Sequence, residues 1–199
     1  MSDPWVLASA SGNNVVLGGL ELAPSYYAWF AKNLSRFNGS ECLCNWFPLT
    51  VLVEFAAEKG FRVRLDYWSG QAPTSGKRFW DTTKKYVYDS HSGEFTSKSQ
   101  FLSRVRNTVT ARMIGSLNSV AITQSEAAPG DLISHDYSDR YWHVELITSV
   151  SAGVITTQSG SVPAAVPKNH QNSYRDLTRD SSVYQGKPRR WEFEEILSS

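Results

Sequence analysis

The 199-residue sequence predicts an α+β domain with helices first and antiparallel strands after them. Two stretches, 22–37 and 44–60, carry apolar residues at helical spacing. Two alternating runs, 141–150 and 153–161, meet at a short "SAG" segment, the pattern of an antiparallel hairpin. No repeat, low-complexity block or linker divides the chain, so 1–199 reads as one domain.

In "LAPSYYAWFAKNLSRF" (22–37), Pro24 and Ser25 supply a helix start, and Tyr26, Phe30, Leu34 and Phe37 recur on one face. An Asn38-Gly39 turn follows. In "CNWFPLTVLVEFAAEKG" (44–60), Phe47, Val51, Leu52 and Phe55 keep the period, and Gly60 offers a C-cap. Pro48 fits a helix only in its first turn, where the missing N–H has no partner anyway. It therefore pins the helix start close to Cys44. "FRVRLDYW" (61–68) alternates like a strand, and "GQAPTSGKRF" is a polar loop. The region 79–120 combines one helix, "SQFLSRVRNTVTARMIGSL", with loops, and residues 66–120 are left without a role beyond a lid or groove. "PGDLIS" (129–134) is a turn leading into a short strand, and "RRWEFEEIL" (189–197) reads as a last strand.

Composition narrows the function. A formal net charge of +1 argues against a nucleic-acid binder, and the short basic stretch "GKPRRW" is followed at once by "EFEE". With 41% hydrophobic residues, seven Trp, nine Tyr and nine Phe, the chain can build a core and is not a disordered one. No apolar run approaches the roughly 20 residues that span a bilayer. "MSDPWVLASASGNN" has no basic n-region or apolar h-region, so the expectation is a cytoplasmic product without a secretory signal. The sequons at 33–35 and 38–40 are then chance matches.

All the cysteine lies in "ECLCN": Cys42 and Cys44. Two thiols do not make a disulfide framework, and a bond between residues two apart closes a strained ring. A thiol at a helix start faces unpaired amides and the positive end of the helix dipole, which favour its reactive thiolate form. A buried thiol acting as a small hydrophobe is the plainer reading. Counting from Cys44, apolar residues fall at +3, +7, +8 and +11, one helical face. Counting from Cys42 pushes Pro48 deeper into the helix, so Cys42 is the alternative nucleophile only if the phase is off by two.

Taken together, Cys44-Asn45-Trp46-Phe47 opening a helix, Pro129-Gly130-Asp131-Leu132, and His143-Val144 on a later strand resemble the papain-like cysteine peptidase and amidase superfamily. The likeness is to its NlpC/P60, CHAP and related amidase branches, and covers about 45 residues in two blocks. The resemblance implies a papain-like domain with the Cys-bearing helix packed on the sheet that carries the His. It implies Cys44 as nucleophile, His143 as general base and acid, and a polar third residue on 153–161. Gln158 is the choice there, long enough to accept the imidazole N–H, with Thr156 and Ser159 as alternatives. Two features depart from the family pattern. Leu43, not an acidic or polar residue, precedes Cys44. Glu145, two residues after His143, stands where the family tends to have a small or apolar residue; it is a site carboxylate, a partner for a basic substrate, or a solvated edge residue.

The expected function is hydrolysis of an amide bond, with the peptide part of bacterial peptidoglycan as substrate, by an endopeptidase or amidase reaction. A secreted antibacterial effector or a lysis enzyme suits such a chain, with export by a signal-independent system and a cognate inhibitor as partner. The alternatives are a protease or deamidase acting on a protein, and a catalytically idle papain-like binding module. No metal or cofactor is expected: a zinc site from Cys42, Cys44, His135 and His143 has a non-standard spacing. His135 is a groove wall or surface filler, and His91 and His170 lie in loop contexts. No G-x-S-x-G marks a serine nucleophile, and no carboxylate pair suggests a glycosidase.

Overall fold

The computed structural model describes residues 19–38, 42–69, 82–91, 94–138, 141–152, 154–160, 168–173 and 186–198. Helix α1 (Gly19–Asn33) runs into a 3₁₀ turn (Leu34–Phe37), and α2 (Trp46–Lys59) follows. Strands β1 (Arg62–Ser69) and β2 (Thr82–Tyr88) precede α3 (Lys98–Thr108) and α4 (Ala111–Leu117). Then come β3 (Ser119–Ala121), β4 (Leu132–Ser138), β5 (Tyr141–Ser151), β6 (Val154–Ser159), β7 (Lys168–Ser173) and β8 (Gly186–Trp191). A helical turn, α5 (Phe193–Ile196), and β9 (Leu197–Ser198) end the described chain. The strands form a three-stranded sheet, β2-β1-β9, and a six-stranded sheet, β3-β8-β4-β5-β6-β7. Every pairing between named strands is antiparallel, so the α+β class stands.

The second helix is the centre of the core. Phe47, Leu49, Val51, Leu52, Val53, Phe55 and Ala56 are all buried, each large side chain contributing on the order of 1.5–3 kcal/mol. Tyr26 and Trp29 of α1 pack edge-on against Phe55, with ring centroids 5.3 and 5.6 Å away. Pro48 is the third helical residue, where the absent N–H has no intrahelical acceptor to lose. Gly60 caps the other end in the left-handed conformation, φ 73°, donating to Ala56 and Ala57. Asn118 couples the two sheets: its amide donates to Asp66 O (2.9 Å) and accepts from Asp66 N (2.8 Å). No helix among the described residues is long and apolar enough to cross a membrane.

Four local expectations change. Helix α1 begins at Gly19, leaving Pro24 inside it instead of at its start. The single helix expected over 99–117 is two, because Thr108, Val109 and Thr110 are β-branched in succession and Thr110 acts as an N-cap, its hydroxyl accepting from Met113 N. "RRWEFEEIL" is a strand to Trp191 and again only at Leu197; between them Phe193 and Ile196, three apart, turn into the core while Glu194 and Glu195 stay outside. His170 belongs to an edge strand, β7, paired with Thr157, and not to a loop. The expected loop 70–79 lies outside the described residues.

Candidate active site

Cys44 sits in the turn that feeds α2. The N–H groups of Trp46 and Phe47 donate back to Leu43 O at 3.0 and 3.3 Å, so the chain is already coiled at the thiol. The N–H groups of Cys44 and Asn45 donate to no backbone carbonyl among the described residues. Three bonds fasten this turn to the α3–α4 corner. The Asn45 amide donates to Arg106 O (3.1 Å) and Val109 O (2.9 Å), and Trp46 Nε1 donates to Arg106 O (2.8 Å). From the other side, Gly160 lies against the chain before Cys44. A Cβ there would stand 2.2 Å from Cys42 O and 2.6 Å from Leu43 O, so only glycine fits this close approach.

The two thiols differ. Cys42 is buried, and burial pushes its thiol up to about 11, Cys44 adding to the effect and Arg106 opposing it. At neutral pH Cys42 is a protonated, inert filler. Cys44 is only partly buried, and its thiol is close enough to His143 to act on the ring.

His143 belongs to a compact polar cluster on one face of β4, β5 and β6. Its Nε2 lies 3.3 Å from Glu145 Oε1, two residues along the same strand. Thr157 on β6 donates its hydroxyl to Glu145 Oε2 at 2.5 Å. His135, cross-strand partner of His143, brings Nε2 to 3.7 Å from the same oxygen, the two rings 5.9 Å apart. Burial works against a charge on His143, but the Cys44 thiol and the Glu145 carboxylate more than offset it and raise the ring to about 9. Burial likewise opposes ionisation of Glu145. The two histidines and the Thr157 hydroxyl nonetheless hold it well below the usual carboxylate range. At neutral pH the cluster therefore holds an imidazolium between the Glu145 carboxylate and the Cys44 sulfur.

Of the residues expected from the sequence, Cys44 and His143 come together and Gln158 does not join them. A bulge between Ile147 and Ser149 shifts the β5–β6 register by one. Without it, Gln158 would sit opposite Ile147 and share the face of His143 and Glu145. With it, Thr157 takes that place and Gln158 pairs with Leu146 on the opposite face. Thr156, opposite Ser149, is no partner for the ring either; Ser159 shares the Thr157 face. Glu145, one reading of which was a solvated edge residue, is buried and bonded. Thr157 was missed because the bulge leaves no mark in composition, whereas the H-x-E spacing on one strand was legible. His91 is exposed, in the bend after β2.

The Gly130-Asp131 pair serves a different purpose. Gly130 has φ 102°, and a Cβ would meet Tyr26 and Tyr27 at 2.9 Å. Asp131, fully buried, accepts from Tyr27 Oη (2.5 Å), Ala128 N (3.0 Å) and both Nε and Nη2 of Arg190 (3.1 and 3.0 Å). It ties the start of β4 to α1 and β8.

Among the described residues no group of three or more His, Cys, Asp or Glu side chains is arranged to hold a metal ion. Two clefts, of about 440 Å³ along α3 and about 500 Å³ between α1 and the β8–α5 segment, are lined by neither Cys44, His143 nor Glu145. No protein-family model matches the chain, and neither a curated protein nor a solved structure does.

Proposed function

We propose that the protein is a cysteine-dependent amide hydrolase with Cys44 as nucleophile, His143 as proton carrier and Glu145 as the group that holds the ring. The observation that supports this most is the grouping of His143 with the buried Glu145 carboxylate at 3.3 Å, Glu145 gripped in turn by Thr157, and with the Cys44 thiol acting on the same ring. Glu145 engages Nε2, which leaves Nδ1 to exchange a proton with sulfur. The thiolate attacks the amide carbonyl carbon, and the carbonyl oxygen becomes an oxyanion opposite the undonated N–H groups at the helix start. As the C–N bond breaks, His143 gives its proton to the departing amine and a thioester remains. Water then attacks the thioester, its proton passing to His143, and the carboxylic acid product leaves with the thiol restored.

The papain-like resemblance of the Cys44, Gly130-Asp131 and His143-Val144 segments supports the peptide part of bacterial peptidoglycan as the substrate class. An antibacterial effector or a lysis enzyme, restrained by a cognate inhibitor, fits that class. Purified protein incubated with muropeptides should yield new fragments by mass spectrometry, and the Cys44→Ala protein should yield none. Intact muropeptides alongside a cleaved protein substrate would replace this substrate with a protein target.

A further inference from the structure

We propose that His135 is a positioning residue for the hydrolysis: its Nε2 holds one oxygen of Glu145 so that the other faces His143. This deepens the hydrolase reading and rests on it. Glu145 stands on β5, between β4 and β6 in the sheet. From β4, His135 brings Nε2 to 3.7 Å from Oε2, and from β6, Thr157 donates its hydroxyl to the same oxygen. Oε1 is left to His143 Nε2 at 3.3 Å. The two oxygens therefore serve different neighbours, and His135 is placed to act on His143 through the carboxylate.

A glutamate needs two such anchors. Its terminal torsion is broad and roughly two-fold, so a single partner fixes one oxygen and lets the carboxylate plane turn. Thr157 and His135, on opposite sides of β5, fix that plane. Packing alone gives no reason for a histidine here. His135 is 3% exposed, too buried to meet a substrate, and its face of the sheet carries the buried Ile133, Ile147 and Ile155. An apolar side chain would fill that place without the cost of burying a polar ring. The position is matched instead to the site. His135 is the direct cross-strand partner of His143, with ring centroids 5.9 Å apart and planes tilted by 38°. The electrostatics agree: burial opposes the charge on Glu145, and among the groups that overcome burial His135 comes first.

The test is a pair of substitutions at one position. A glutamine amide nitrogen falls close to where Nε2 stands; that of asparagine falls near Nδ1, short of Oε2. By NMR, His135→Gln should keep the His143 midpoint at about 9, and His135→Asn should bring it down toward 6.5. Iodoacetamide labelling of Cys44 at neutral pH is read by peptide mass spectrometry on the full chain. It should slow roughly tenfold in His135→Asn and stay within about twofold in His135→Gln. Added to Glu145→Gln, His135→Asn should change neither reading further, because the carboxylate it acts through is gone. Circular dichroism checks folding. A role in stability alone would lower the urea midpoint of both variants and leave the His143 titration in place. The His135 ring resonances should also move in Glu145→Gln, a reading that needs no change at residue 135. Equal His143 midpoints in the folded Asn and Gln variants overturn the positioning role and leave the hydrolase reading intact. So does a His135 ring indifferent to Glu145→Gln. A Cys44 that labels no faster than Cys42 in the unaltered chain overturns the hydrolase reading, and this inference with it.

Discussion

Asp131, just before β4, and Glu145, on the neighbouring strand β5, are two buried carboxylates of one sheet, and their partners set them apart. Asp131 is gripped by Arg190, by a tyrosine hydroxyl and by a backbone amide. Its cation is a guanidinium held above even the ordinary Arg range by that contact. Glu145 is gripped by two imidazoles and a threonine, with a thiol on the far side of one ring. The first arrangement locks α1 to the sheet. The second is built from imidazoles and a thiol, side chains able to take up and release a proton, which is what proton transfer needs. A buried carboxylate alone says little about function; the titratability of what surrounds it says more.

The largest effects should come from breaking the second arrangement. His143→Ala should lower amide hydrolysis by about 10²–10⁴-fold, with the unfolding midpoint much less affected. Asp131→Asn should do the reverse. It leaves Arg190 uncompensated and should cost about 3 kcal/mol in urea unfolding, while the relative labelling of Cys44 and Cys42 in folded protein stays as it was. Glu145→Gln should bring the His143 titration midpoint, read by NMR, down from about 9 toward 6.5. Gly160→Ala must displace the Cys42–Leu43 carbonyls, and should slow Cys44 alkylation with a smaller loss of global stability. Cys42→Ala should change Cys44 reactivity least, because Cys42 is a buried neighbour whose thiol is pushed up to about 11.

The pH dependence separates the two regions as well. His143 has a raised pKa, so its share of stability is fully present below about 6.5 and is lost as the pH rises through about 9. Glu145 has a depressed pKa, so its share is present above about 4.5 and is lost as the pH falls. The cluster thus contributes most between those limits. The loss of stability between pH 6.5 and 9 should shrink in Cys44→Ala, which removes one of the two groups that raise the ring.

Much of this was legible in the residues. Pro48 and the apolar phase put the helix start beside Cys44, and the "WHVEL" alternation put His143 and Glu145 on one strand face. Two things were not. The one-residue bulge at Ile147–Ser149 turns Gln158 away and Thr157 inward, and period-two counting from the hairpin turn has no means of seeing it. The break at Val109–Thr110 has local cues in its β-branched run and the Thr110 cap, but Asn45 also captures carbonyls there from more than sixty residues away, a contact that local helix propensity does not contain.

The most direct test of the account is the rate at which iodoacetamide labels Cys44 and Cys42 at neutral pH, read by peptide mass spectrometry on the intact chain and on His143→Ala. Cys44 should react at least about tenfold faster than Cys42 and should lose most of that advantage when His143 is removed. Equally slow labelling of both thiols, or a Cys44 rate indifferent to His143, would contradict the assignment of Cys44 as nucleophile.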